Sequence, residues 1–343
     1  WAWIRALAPD APILRERSQK SGGEAEARLR ALACAASSLL SSGEAECSAV
    51  FDDRGRIASV VELPIATEIS VYRAPTDNDR GRGPVDYWGI SPDDLGPLGT
   101  GTGQWGVSHA QRWETARLHL LRRTWHGSSC ERGTRVLIER WAPPAAQFGL
   151  EARWTFSSVD GKVEGAPAAA VIPGNCLAVK VEMTPYGYWP ERIPRLGIRL
   201  RIPGTDWTAS WVGETDIAYP DVPGVNPDGY GSGELEDLWD VGVKPQEGGH
   251  RPGLKVLELR GEERALIIIP QSEMGWSASR WSERELAQAG HWEDLPVSNQ
   301  TFVWLDAIQD GIGTRSCGPD ARPEFGARMK ACTMEFVVCV TDL

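Results

Sequence analysis

The chain has 343 residues, 41% of them hydrophobic and 24% charged, the balance of a globular protein with material for a large core. A formal charge of −11 argues against nucleic acid and anionic membrane surfaces, which are bound through basic patches. No apolar run approaches the roughly 20 residues that cross a bilayer, and no basic segment followed by an apolar one opens the chain.

The sequence starts at Trp1, without an initiator methionine, and is read as a fragment of something longer. Residues 1–46 are expected to be the remnant of a preceding domain or a linker. Glu24 to Leu40 is rich in alanine, and Leu29, Leu32, Ala33, Ala36 and Leu40 recur at helical spacing, so a short helix or a poorly ordered leader fits there. From about Cys47 the texture changes, and residues 47–343 are expected to form one domain. Ser48 to Phe51, the turn Asp52 to Gly55 and Arg56 to Val61 read as a hairpin. Short β-type runs follow at Leu118–Trp125, Arg135–Trp141, Leu150–Phe156, Ala178–Met183, Leu196–Ile202, Leu254–Leu259, Ala265–Ile269, Thr301–Leu305 and Met334–Val340. Alternation such as Arg199-Leu-Arg-Ile202 suggests a wet face. With 24 prolines and 37 glycines as punctuation, the class is all-β, a sandwich or barrel with few short helices. One such helix is expected after Ser282, with Glu285 completing a capping box and Gly290 as its C-cap.

Generic catalytic signatures are absent. Gly101-Thr-Gly-Gln-Trp-Gly106 has dinucleotide-loop spacing but follows a Pro/Gly/Asp-rich stretch, so it reads as a plain loop. The histidines at 109, 119, 126, 250 and 291 lack metal-ligand spacing. Seven cysteines, odd in number and without a Cys-x-x-Cys pair, read as reduced thiols of a cytoplasmic protein. The sixteen tryptophans read as core packing before sugar platforms.

Two segments stand out for their turn chemistry. In Arg73-Ala-Pro-Thr-Asp77-Asn-Asp79, Pro75 stiffens the entry, and the Asp and Asn side chains can bond nearby backbone N–H groups. In Phe302-Val-Trp-Leu-Asp306 through Gly318-Pro319, an apolar run delivers the chain to a polar loop containing Cys317. Loops carried on rigid strands commonly present ligand-contacting groups.

Both segments resemble the small-chain region of the large β-galactosidases, as does a set of others in the same order. Trp113-Glu-Thr-Ala116-Arg117-Leu118 is similar to that family's Trp-x-x-Ala-Gly-Leu, with Arg117 in place of glycine. Pro245-Gln-Glu247-Gly-Gly249-His250-Arg251 and Ser277 to Leu295 also match family segments. The family's Gly-x-Gly-Pro-x-Glu-Asn-Tyr-x-Asp-Arg survives only as Tyr219-Pro-Asp221, followed by Val222.

The resemblance implies a β-supersandwich of the galactose mutarotase type, acting as the C-terminal part of a β-galactosidase on terminal β-galactosides such as lactose. It implies no catalytic residue and no metal ligand here, because the family's two glutamates and its magnesium lie on a separate barrel domain. This chain has no Asn-Glu dipeptide and no strand pattern for a (β/α)₈ barrel of about 250 residues. The implied substrate-binding residues are Ser316, Cys317 and Gly318, in a loop that walls the sugar pocket. Cys317 stands where some members carry a sugar-stacking tryptophan. The implied partners are a β-galactoside or galactose, the barrel-bearing part of the enzyme and further copies in an oligomer. Two alternatives remain open. One is a mutarotase-like epimerase using His250 with Glu247, or His291 near Glu293. The other is a carbohydrate-binding module, which would require exposed tryptophans such as Trp207, Trp211 or Trp239.

Overall fold

The computed structural model describes residues 23–35, 49–81, 108–159 and 176–343. The loop reading of residues 101–106 lies outside them. Helix α1 (Gly23–Ala35) comes first. The expected hairpin follows as β1 (Ala49–Phe51) and β2 (Ile57–Val60), with β3 (Leu63–Pro64) added to the same small sheet. Its turn is held by Asp52 Oδ1, which accepts from the N–H groups of Arg54 and Arg56, both at 2.9 Å.

A nine-stranded antiparallel sheet forms the larger layer. Strands β5 (Arg122–Glu131), β6 (Thr134–Ala142), β7 (Gly149–Val159) and β8 (Cys176–Tyr186) make a meander on one side. On the other are β10 (Thr208–Gly213), β11 (Gly229–Glu234), β12 (Val256–Arg260), β13 (Arg264–Pro270) and β16 (Cys332–Asp342), and the order is β11-β10-β12-β13-β16-β8-β7-β6-β5. Facing it is a four-stranded sheet ordered β14 (Gly275–Ser279), β15 (Gln300–Gln309), β9 (Arg195–Pro203) and β4 (Ala66–Ser70). Alternation decides what each face covers. Ile198, Leu200, Val303 and Leu305 point into a core shared with Trp154, Phe156, Val181 and Phe336 of the large sheet. Phe302 and Trp304 point the opposite way, into a satellite cluster with Trp239 and Leu286. Leu29 and Leu32 of α1 cover the outer side of the large sheet, against Val212, Val256, Ile267 and Val337. Among the described residues no helix is long and apolar enough to cross a membrane.

The all-β two-layer sandwich therefore stands, with differences in detail. Leu118–Leu120 is a 3₁₀ turn, and the strand expected from Leu118 begins only at Arg122. Arg117, standing where the family has glycine, takes a left-handed φ of +58° that turns the chain there. Helix α4 (Glu283–Gln288) has the expected Ser282–Glu285 box, but its C-cap is Ala289 and not Gly290. Arg199 does not face water. It pairs with Glu283 at 2.8 Å and with Glu68, because α4 covers that side of the sheet. The expectation that all cysteines are reduced is also corrected. Cys176 and Cys339 stand opposite each other on β8 and β16 with Cα atoms 4.4 Å apart, within bridging range, and form a disulfide. They are 163 residues apart in sequence, so spacing carried no signal.

Candidate functional site

The site grows from Arg73, which follows β4 and is fully buried. A buried guanidinium is tolerated only when its donors are matched. Arg73 Nη2 and Nε donate to Asp79 at 2.7 and 3.2 Å, and its remaining donors reach the carbonyls of Asp310 (2.7 Å) and Gly311 (3.1 Å). Asp79 belongs to α2 (Asp77–Arg80), whose N-cap Thr76 shares a capping box with it. The Arg73–Asp79 motif is thus a short helical turn locked to an arginine, and that arginine holds the start of the 310–319 loop.

The residue before Asp79 in that turn holds the loop's tip. Asn78 Nδ2 donates to the Gly313 carbonyl at 2.7 Å, and its Oδ1 accepts from Ser316 N (3.2 Å) and Ser316 Oγ (2.6 Å). From the other side Asp221 accepts from the N–H groups of Ile312 (2.8 Å) and Gly313 (2.6 Å). The surviving Tyr-x-Asp core therefore grips the same loop. Gly313 sits at φ +65°, and a Cβ there would lie 2.6 Å from the Ala321 nitrogen, so glycine is required at this bend.

Beneath the loop runs a second charged chain. Arg192 forks onto Asp310 (2.6 and 2.8 Å), reaches Asp320 Oδ1 at 2.8 Å and donates to the Gly311 carbonyl at 3.0 Å. His109, on α3 (His109–Thr115), places Nε2 2.6 Å from Asp320 Oδ2. Burial is the largest influence on His109 and lowers its pKa, with Arg192 adding to the effect. Burial alone would raise Asp320, but the His109 hydrogen bond and the Arg192 charge outweigh it and hold the carboxyl down to about 2.

A third group lies deeper. Asp306 Oδ2 accepts from Arg195 at 2.8 Å and lies 3.1 Å from His250 Nδ1, while Tyr219 Oη donates to Glu247 at 3.1 Å. Burial opposes the charge on Asp306, yet Arg195 and His250 together leave its pKa lowered. His250 and Glu247 are each only 4% exposed, so they fasten the interior and offer no surface to a sugar ring. His291 and Glu293 are exposed, and the His291 N–H caps onto Asp294. Trp207, Trp211 and Trp239 are buried, which removes them as exposed sugar platforms.

The expected binding residues share the loop's tip. Thr314 N donates to the Pro319 carbonyl at 3.1 Å, and the N–H groups of Cys317 and Gly318 donate to the Thr314 carbonyl at 3.0 and 2.7 Å. This tight turn exposes Ser316 and Cys317 and half-buries Gly318. Asn78, Asp221, Arg192, His109 and Asp320 were not singled out as site-forming from sequence. Asn78 had a local signal in the density of Asp and Asn after Pro75, and Asp221 one in the surviving Tyr-x-Asp core. Among the described residues no cluster of His, Cys, Asp and Glu could hold a metal ion.

The family model described as beta galactosidase small chain matches residues 43–339. A β-galactosidase of Arthrobacter sp. (strain B7) is 30% identical over 293 residues, covering 82% of this chain and 27% of that protein. A β-galactosidase of Oenococcus oeni is 24% identical over 254 residues, covering 74% and 22%. The chain thus spans about a quarter of the length of these two relatives. Among solved structures, a galactose mutarotase related enzyme from Lactobacillus acidophilus is 8% identical with a TM-score of 0.36, over 87% of this chain and 96% of that one. An α-galactosidase from Lactobacillus brevis is 7% identical with a TM-score of 0.30, over 65% and 27%. On the match to its family model, across most of its length, the chain belongs to the β-galactosidase small-chain family.

Proposed function

We propose that this chain is the C-terminal part of a cytoplasmic β-galactosidase acting on terminal β-galactosides such as lactose, and that it contributes a pocket wall and no catalytic glutamate. The observation that carries this reading is the convergence of Arg73, Asn78 and Asp221 on one loop. Three separate stretches of the family pattern meet there, and their combined effect is to present Ser316, Cys317 and Gly318 at an exposed tip. A wall of this kind acts by positioning. It holds the sugar so that an acid/base carboxyl and a nucleophile, about 5–5.5 Å apart in a retaining glycosidase, meet the bond to be broken. Magnesium would belong to the barrel-bearing partner, with which the chain would assemble into an oligomer.

The test is an assay of the chain alone on an aryl β-galactoside, followed by the same assay with the barrel-bearing part added. Turnover is expected only in the second. Hydrolysis by the isolated chain would overturn the assignment. A self-sufficient epimerase is the weaker reading, because His250 is buried against Asp306. It would be favoured instead if the chain accelerated anomerisation of galactose and His250→Ala abolished that acceleration.

A further inference from the structure

On the outer side of the four-stranded sheet, away from the 314–319 tip, lies a cavity of about 380 Å³. Pockets of roughly 300–1,000 Å³ take small ligands. Its floor comes from β4 and β9, its walls from the 118–121 turn and the start of α4, and Trp141 and Pro144 close one side. Register explains the polar floor. Glu68 pairs with Arg199 across β4 and β9, so both side chains rise on the same face as Ser70 and meet Glu283 of α4.

Three polar atoms around this cavity have no hydrogen-bond partner among the described residues: Ser70 Oγ, His119 Nδ1 and the Trp141 indole nitrogen. Ser70 and Trp141 are each 4% exposed. Buried polar groups are nearly always satisfied, and an unsatisfied one costs about 1–3 kcal/mol. Three around one space suit an occupant with hydroxyl groups that takes the place of ordered water. Glu68 and Glu283 offer acceptors, and Arg199 balances part of their charge. Arg122 and Arg284 also line the space, so charge alone does not exclude an anion and inorganic phosphate is the competing ligand, although burial lowers the His119 pKa and weakens it as an anion partner.

We propose that this cavity is a carbohydrate site separate from the loop wall, taking one neutral pyranose through Ser70, His119 and the Trp141 N–H, with Glu68 and Glu283 as hydroxyl acceptors. It does not depend on the part proposed for the chain in β-galactoside hydrolysis. Helix α2 and the residue after it touch both α4 and the loop. Arg80 there donates to the Ala287 carbonyl of α4, and Gly81 packs on the Arg315 backbone.

The test follows the indole N–H of Trp141 by NMR in the 343-residue chain, with the resonance assigned by its loss in Trp141→Phe. D-galactose or D-glucose is expected to shift it saturably, and Ser70→Ala to weaken the affinity about tenfold with the melting temperature little changed. Cys317→Trp should leave this titration unchanged, which separates failure of the cavity from failure of the loop. If Trp141→Phe does not fold, calorimetry on Ser70→Ala carries the test. The proposal is overturned if neither hexose shifts the resonance up to its solubility. It is equally overturned if inorganic phosphate gives the shift, or if Ser70→Ala binds as the unaltered chain does.

Discussion

The base of the 310–319 loop and its tip are a few residues apart and built on opposite terms. At the base, Arg73, Arg192, Asp310 and Asp320 are all buried and each is matched by partners from other parts of the chain. At the tip, Ser316 and Cys317 are exposed, and the fold holds them through local turn bonds and one asparagine. Rigidity lies in the base, and the tip is left free to meet a ligand. The two should respond differently to mutation: damage to the base should appear as lost stability, and damage to the tip as altered function in a folded protein.

The largest effect is expected for Arg73→Ala, which strands the Asp79 charge and leaves the Asp310 carbonyl without its donor, while Gly311 keeps its bond from Arg192. Removing one partner of a buried ion pair costs about 3–5 kcal/mol. Denaturant unfolding should show that loss in the midpoint, with the slope nearly unchanged. If Arg73→Ala unfolds like the unaltered chain, the base does not anchor the loop.

Acid should attack the same base. The Asp320 carboxyl is held down to about 2, below the unfolded value near 3.9. A lowered folded pKa gives stability that is present above the unfolded pKa and lost as pH falls through the folded one. The expected loss is therefore about 2 kcal/mol between roughly pH 4 and pH 2. Asp320→Asn should flatten this stretch of the stability-against-pH curve. An equally steep curve in the variant would assign the acid sensitivity to other groups.

The uneven depth of these two regions also explains what the sequence disclosed. Arg73 to Asp79 was legible because turn residues cluster locally, Pro245 to Arg251 only through its family resemblance, and many strands of the core from their apolar runs. Strand β14, Gly275-Trp-Ser-Ala-Ser279, was not, since all five residues are buried and small polar ones replace the apolar run. Alternation at Arg199 and Arg201 reports only that two faces differ, and of the two only Arg201 is exposed. It cannot say that α4 and Glu283 cover the second face. Arg192, Asp310 and Asp320 come from positions up to 128 residues apart, and no local pattern links them. The Cys176–Cys339 disulfide was hidden for the same reason.

Asn78→Ala bridges base and tip. It removes the bonds to Gly313 O, Ser316 N and Ser316 Oγ, at about 1 kcal/mol each before relaxation. Because Asn78 is itself partly exposed, water can replace some of these bonds, and the stability loss should be about 1–2 kcal/mol. The larger effect should be functional: in the assembled enzyme KM should rise several-fold while the folded fraction stays high. A stability loss comparable to that of Arg73→Ala, without a change in KM, would place Asn78 with the base.

Cys317→Trp is the smallest perturbation to the fold and the sharpest test of the tip. The thiol is exposed and its backbone N–H is already used in the turn to Thr314, so an indole can project outward without displacing core atoms. Exposed substitutions of this kind usually change stability by less than about 0.5 kcal/mol. An indole face at this position would add a stacking surface for a sugar ring, which a cysteine cannot offer. In the assembled enzyme the expected result is a lower KM for a disaccharide and little change for an aryl galactoside, whose leaving group lacks the second ring. A uniform change in kcat for both substrates would mean that the tip moved the catalytic groups, so that base and tip act as one body. No change for either substrate would remove Cys317 from the sugar pocket and leave it as a residue that only completes the turn.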